Sequence, residues 1–161
     1  MSDAEALIRR LSAASQTLAL AESCTAGLVA DCLVRVAGAS RVLWGSYVCY
    51  TEGAKIAMLG LDRGLLCGYG AVSRETACAM AQGTLERSGA DIAAGVTGLA
   101  GPEGDGSSTP VGTVWIATAV RGMDVQAKVF QYPGARQEVR RAAAKTVIQE
   151  LLRRLALPYM D

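Results

Sequence analysis

Three adjoining stretches constrain this chain most. They are the apolar run Thr17-Leu18-Ala19-Leu20, the turn Ala21-Glu22-Ser23-Cys24-Thr25-Ala26-Gly27, and a helically spaced apolar segment over residues 28–36. An apolar strand that passes through a short turn straight into a helix is a strand–helix unit, and such units pack in layers around a sheet. The turn has a chemical consequence as well. The first backbone N–H groups of a helix have no partner within it. Together with the positive end of the helix dipole they favour an anion or a developing oxyanion. Ser23 and Thr25 add hydroxyls there, Cys24 a thiol and Glu22 a carboxylate, although either hydroxyl also suits a plain helix N-cap.

The remaining chain alternates in the same way. Residues 2–15 read as a helix, with Ser2 and Glu5 spaced as a capping box and Ala4, Leu7, Ile8 and Leu11 on one stripe. The helix after the turn places Leu28, Val29, Cys32, Leu33 and Val36 inward and closes at Gly38. A strand is predicted from 41 to about 50, helical turns over 51–59 and 62–68, and a helix from 74 to about 88 capped by Ser73. A buried strand at 91–96 leads into a glycine-rich loop, 97–110, whose length favours a binding role and whose glycines admit close approach of a ligand. It is neither a Walker A loop nor a G-x-G-x-x-G turn. Residues 111–120 and 124–132, joined by Arg121-Gly122-Met123, read as an antiparallel hairpin. The last helix runs from 136 to about 155. Arg136, Arg140 and Arg141 stand near its start, where the dipole disfavours cations, so an anion there would offset them.

Strands alternating with helices, with one hairpin among them, predict an α/β fold: a three-layer α/β/α sandwich with a mixed, mostly parallel sheet, in a single domain over 1–161. Such sheets bind ligands at the carboxyl ends of their strands, where the 21–27 turn and the 97–110 loop would meet. With 51% apolar and 19% charged residues the chain is of the folded, globular kind. A net charge of +1 gives no footprint for nucleic acid, and no apolar run approaches a membrane span. No secretory leader is evident. The five cysteines (24, 32, 49, 67 and 78) include no C-x-x-C pair, a pattern expected of reduced cytoplasmic thiols. The sharpest restriction is the absence of histidine. It excludes Ser-His-Asp and Cys-His systems and histidine-ligated metal sites within this chain. A side-chain base must be Asp, Glu, Lys, Tyr or Cys.

Glu22-Ser23-Cys24-Thr25-Ala26-Gly27 resembles the E-S-C-T-G-G signature of the CinA C-terminal domain family. Tyr50-Thr51-Glu52-Gly53-Ala54-Lys55 is similar to the family's Y-S-N-E-A-K, and Gly70-Ala71-Val72-Ser73 to its G-A-V-S. Thr97-Gly98-Leu99-Ala100-Gly101-Pro102 and Pro110-Val111-Gly112-Thr113-Val114 match its remaining blocks, so the resemblance covers nearly the whole chain in order. It implies a nicotinamide mononucleotide deamidase of pyridine nucleotide recycling, yielding nicotinic acid mononucleotide and ammonia through a serine, a lysine and a tyrosine. No counterpart of the pyrophosphatase domain of longer members is expected in these residues.

By that resemblance Lys55 and Tyr50 are catalytic, with Ser40 expected to attack and Ser23 the other serine at a family position. Glu22, Thr25 and Gly27, the loop residues Thr97, Gly98 and Gly101, and Arg136 with Arg140 are expected to hold the nucleotide. Ala26, Gly53 and Ala135 depart from the family pattern. No cofactor and no metal is implied; a small-molecule nucleotide substrate and a homo-oligomer, a dimer, are expected. The alternative is a non-catalytic nucleotide-binding or regulatory module linked to competence or DNA damage.

Overall fold

The first strand, β1 (Leu18–Glu22), is buried at every residue, as a strand with neighbours on both sides and helices on both faces must be. In the computed structural model, which describes residues 1–156, it lies between β2 (Leu43–Val48) and β3 (Ile92–Gly98) and runs parallel to both. Next to β3 come β4 (Thr113–Val120) and β5 (Gln126–Gln131), each antiparallel to its neighbour, giving the order β2-β1-β3-β4-β5. Only β4 therefore runs against the rest, and the sheet is mixed and mostly parallel, with β4 and β5 as the hairpin. The end of the span expected as one domain, residues 157–161, lies outside the described residues.

The two faces of the sheet differ in side-chain size. Leu18, Leu20, Ile92 and Val96 face one way and pack against α1 (Asp3–Ala13), α2 (Leu28–Val34) and α6 (Arg136–Ala156). Because side chains alternate along a strand, the opposite face carries the intervening residues, and these are small. Ala93, Ala117 and Ala119 pack there on Ala77, Ala81 and Leu85 of α5 (Arg74–Ser88). A Cβ on Gly95 would lie 2.7 Å from Ala81 N and 2.8 Å from Ala77 O, so α5 rests on the sheet backbone itself. Helices α3 (Glu52–Leu59) and α4 (Arg63–Tyr69) extend this layer through Leu59, Leu66 and Met80.

Local signals account for most of the helix starts. Ser2 and Glu5 form the capping box, and Thr51, Asp62 and Ser73 each accept a backbone N–H three residues on. Two of the boundaries that differ from expectation bear on the site. Helix α2 stops at Val34, and Gly38, at φ 89°, opens a short 3₁₀ turn (Ala39–Arg41) instead of closing the helix. Strand β3 continues through Thr97 and Gly98 because Gly98 still pairs with Val114, so the glycine-rich loop begins only at Leu99.

Candidate active site

Since β4 alone is reversed, β1, β2, β3 and β5 all end at one edge of the sheet. The segments leaving those ends enclose a cleft of about 330 Å³, lined among others by Ser23, Tyr50, Lys55, Thr97, Gly98 and Arg136. The turn after β1 and the loop after β3 do meet there.

Lys55, on α3, is 1% exposed, and its Nζ donates to Ser23 Oγ at 2.9 Å and to the Cys49 carbonyl at 3.2 Å. Both partners are held by backbone pairing that prolongs the sheet: Ser23 N–H donates to Val96 O, and Cys49 N–H to Glu22 O, each at 3.0 Å. Burial holds the Lys55 ammonium below its ordinary pKa. Nearby thiols do not offset this. Burial pushes Cys24 up to about 11 and Cys49 upward too, so both stay uncharged at neutral pH. Among the described residues no carboxylate pairs with Lys55. Burial thus shifts Lys55 toward the neutral amine against the opposing field of the Glu52 carboxylate, and the neutral amine is the form that can take a proton from the hydroxyl beside it.

Tyr50 is half-exposed, and its hydroxyl accepts from Arg136 Nη2 at 2.6 Å. Arg136 Nη1 donates to Gly101 O at 2.6 Å, so this guanidinium ties the tyrosine to the glycine-rich loop across the mouth of the cleft. Thr97, almost fully buried, donates its hydroxyl to Ala71 O at 2.7 Å, joining β3 to the segment before α5.

Other expected residues lie elsewhere or are otherwise engaged. Ser40 sits in the 3₁₀ turn ahead of β2, at the opposite edge of the sheet from Lys55. A six-residue strand, roughly 20 Å at ~3.3 Å per residue, separates the two edges, so Ser40 is not the serine beside the lysine. The anion site expected at the start of α2 is filled from within. Glu22, fully buried, accepts from Gly27 N (2.9 Å), Val29 N (3.0 Å) and Thr25 Oγ1 (2.8 Å) with Oε2, and from Ala30 N (3.0 Å) and Ser46 Oγ (3.0 Å) with Oε1. Glu22, Thr25 and Gly27 thus build the turn and present no free group to a ligand through these atoms. Arg140 is likewise committed, donating to the Cys24 and Thr25 carbonyls at 2.9 Å each. Glu52, Ala71, Val72 and Asp105 line the cleft without having been singled out. The first three fall inside blocks that carry the family resemblance, which was the available signal; Asp105 carried none beyond its place in the glycine-rich loop.

A serine hydroxyl paired with a buried lysine thus lies at the carboxyl edge of a three-layer α/β sandwich, in a chain without histidine. The chain belongs to the CinA C-terminal domain family, whose sequence model matches residues 2–155. It is 43% identical over 148 residues to a CinA-like protein of Akkermansia muciniphila, covering 92% of this chain and 36% of that protein. A CinA-like protein of Geobacter metallireducens is 46% identical over 139 residues, covering 86% of this chain and 33% of the relative. The chain thus spans about a third of the length of the curated relatives it matches. Among solved structures, the competence/damage inducible protein CihA from Agrobacterium tumefaciens superposes with a TM-score of 0.88 at 41% identity, covering 98% of both chains. A CinA superfamily protein from Escherichia coli gives 0.90 at 35% identity, covering 93% of this chain and 87% of that one. Among the described residues no helix is long and apolar enough to cross a membrane.

Proposed function

We propose that this chain is an amidohydrolase that converts nicotinamide mononucleotide to nicotinic acid mononucleotide and ammonia. The observation that carries the proposal is the 2.9 Å contact between the buried Lys55 Nζ and Ser23 Oγ. An amide is a weak electrophile, so its hydrolysis needs an activated nucleophile. Neutral Lys55 takes the Ser23 proton as Oγ attacks the carboxamide carbon. Lys55 then returns the proton to the nitrogen, which leaves as ammonia. Water cleaves the resulting ester to the carboxylate, with the same amine as base. Tyr50 and Arg136 face the nucleotide, with the guanidinium supplying a partner for its phosphate.

A module that only binds a nucleotide gives no reason to bury a lysine against a serine hydroxyl. The deciding experiment incubates the purified protein with nicotinamide mononucleotide and measures ammonia. Release by the wild type, lost in Ser23→Ala and Lys55→Ala, supports the proposal. Mononucleotide binding with no ammonia formed would reject it in favour of the regulatory reading.

A further inference from the structure

A second cavity, of about 140 Å³, lies between the sheet and the far end of α6. Thr118 on β4, Lys128 on β5, and Glu150, Arg153 and Arg154 on α6 line it. Arg154 stands about 27 Å along the helix from Arg136 at ~1.5 Å per residue, so this cavity is separate from the cleft.

The charges here do not balance. Glu150 is buried with both oxygens engaged, Oε2 by Lys128 Nζ at 2.8 Å and Oε1 by Arg153 Nη1. Arg154 is only 5% exposed and forms no ion pair among the described residues. Its Nη2 donates to the Asp124 carbonyl at 2.6 Å, while its Nε has no partner among the described residues. Buried charges in folded proteins are normally paired, because an ion stripped of water needs an opposite charge to replace it. Among the described residues, three cations and one carboxylate leave the walls of this cavity with two positive charges in excess.

We propose that the cavity binds a small tetrahedral oxyanion of the phosphate class, either inorganic phosphate or the head group of a phosphate monoester. The anion supplies Arg154 with the counter-charge that no described residue provides. Glu150 holds the ends of Lys128 and Arg153 in place while leaving them further N–H donors, and Thr118 adds a hydroxyl. The cavity has room for a phosphate head group and not for a nucleotide. The proposal stands independently of the deamidation reading.

The test is calorimetric titration of inorganic phosphate, at ionic strength matched with chloride. An Arg136→Ala background removes the phosphate partner proposed for the cleft. One phosphate per chain is expected to bind. Lys128→Gln should weaken it roughly tenfold, the loss of one charge-assisted bond, and Arg154→Gln should abolish it. Lys128 is more than half exposed, so its variant carries the test should Arg154→Gln fail to fold. Glycerol 3-phosphate in place of phosphate separates the sources: equal affinity identifies a monoester site, and rejection of the ester identifies a site for the free ion. Absence of phosphate binding, or binding that Lys128→Gln leaves unchanged, overturns the proposal.

Discussion

Lys55 Nζ lies 2.9 Å from Ser23 Oγ, although the two residues belong to different strand–helix units. The contact is a consequence of strand direction. Because β1 and β2 are parallel neighbours, the segments leaving their carboxyl ends must emerge side by side. Helix α3 begins four residues after β2 ends, and its first turns carry Lys55 back over the end of β1. The same layer buries the amine, so one packing arrangement both brings the amine to the serine and lowers its pKa.

The first prediction separates the two serines. Ser23→Ala should abolish ammonia release, whereas Ser40→Ala, at the other edge of the sheet, should retain near-normal turnover. A trapped acyl-enzyme should map by mass spectrometry to the peptide containing Ser23. A label on Ser40 would mean that this geometry is not the reactive one.

Lys55 sets a pH dependence. A base that must be neutral loses activity as pH falls through its folded pKa, so kcat/KM should decline on the acid side in the wild type. Lys55→Arg should be inactive throughout, since a guanidinium stays charged. Stability should respond in the sense opposite to that of an ion-paired lysine. The folded pKa is lowered, so between it and the ordinary value of 10.5 the unfolded chain binds the extra proton. Wild-type stability therefore rises with pH across that window, and the advantage of Lys55→Met at lower pH should shrink toward alkaline pH. Urea midpoints of the two proteins at several pH values measure this.

These two residues also show where reading the sequence succeeds and where it stops. Helix starts were legible because caps act over three or four residues: Ser2, Thr51, Asp62 and Ser73 all bond as their spacing requires. Strand burial was legible from apolar runs, and the reversed β4 from its hairpin with β5. The choice of serine depended on a longer-range relation. Ser23 comes after a strand and Ser40 before one, and in a parallel pair that difference puts them at opposite edges. The turn misled for another reason. Composition placed a carboxylate beside free helix N–H groups, but nothing local shows whether Glu22 awaits a ligand or occupies the ligand's place. Its five donors show that it is the occupant.

Glu22 yields the third prediction. Glu22→Gln replaces one acceptor oxygen by an NH₂ group facing donors in a fully buried turn. The cost should be about 1.5–3 kcal/mol, the worth of hydrogen bonds to a charged group. Chemical denaturation measures it. An unchanged midpoint would show that the carboxylate does not hold the turn.

Gly95 provides a test of the sheet–helix contact that backs the cleft. Gly95→Ala drives a methyl into α5 backbone atoms at 2.7 and 2.8 Å, which a side-chain rotation cannot relieve. Overpacking of this kind should destabilise the protein by ~1–3 kcal/mol. Thermal unfolding at matched pH gives the measurement, and Gly104→Ala, where a Cβ meets nothing within 4 Å, is the control.

Arg136 carries the last prediction, which separates two roles for one side chain. The guanidinium spans from Tyr50 to Gly101 and stands at the first turn of α6, open to the cleft. If it also binds the phosphate, Arg136→Ala should weaken kcat/KM for nicotinamide mononucleotide by ~1.5–3 kcal/mol more than for nicotinamide riboside, the excess being one charge-assisted bond. If it serves only as the tie between Tyr50 and the loop, both substrates lose the same factor, since both need the same cleft mouth. Tyr50→Phe removes the tie at one end and leaves the guanidinium in place. It should lower the rate for nucleotide and nucleoside in similar proportion. The ratio of the two kcat/KM values therefore reads the phosphate contact alone: it should collapse in Arg136→Ala and stay near the wild-type ratio in Tyr50→Phe. A ratio unchanged in Arg136→Ala would remove the arginine as phosphate partner.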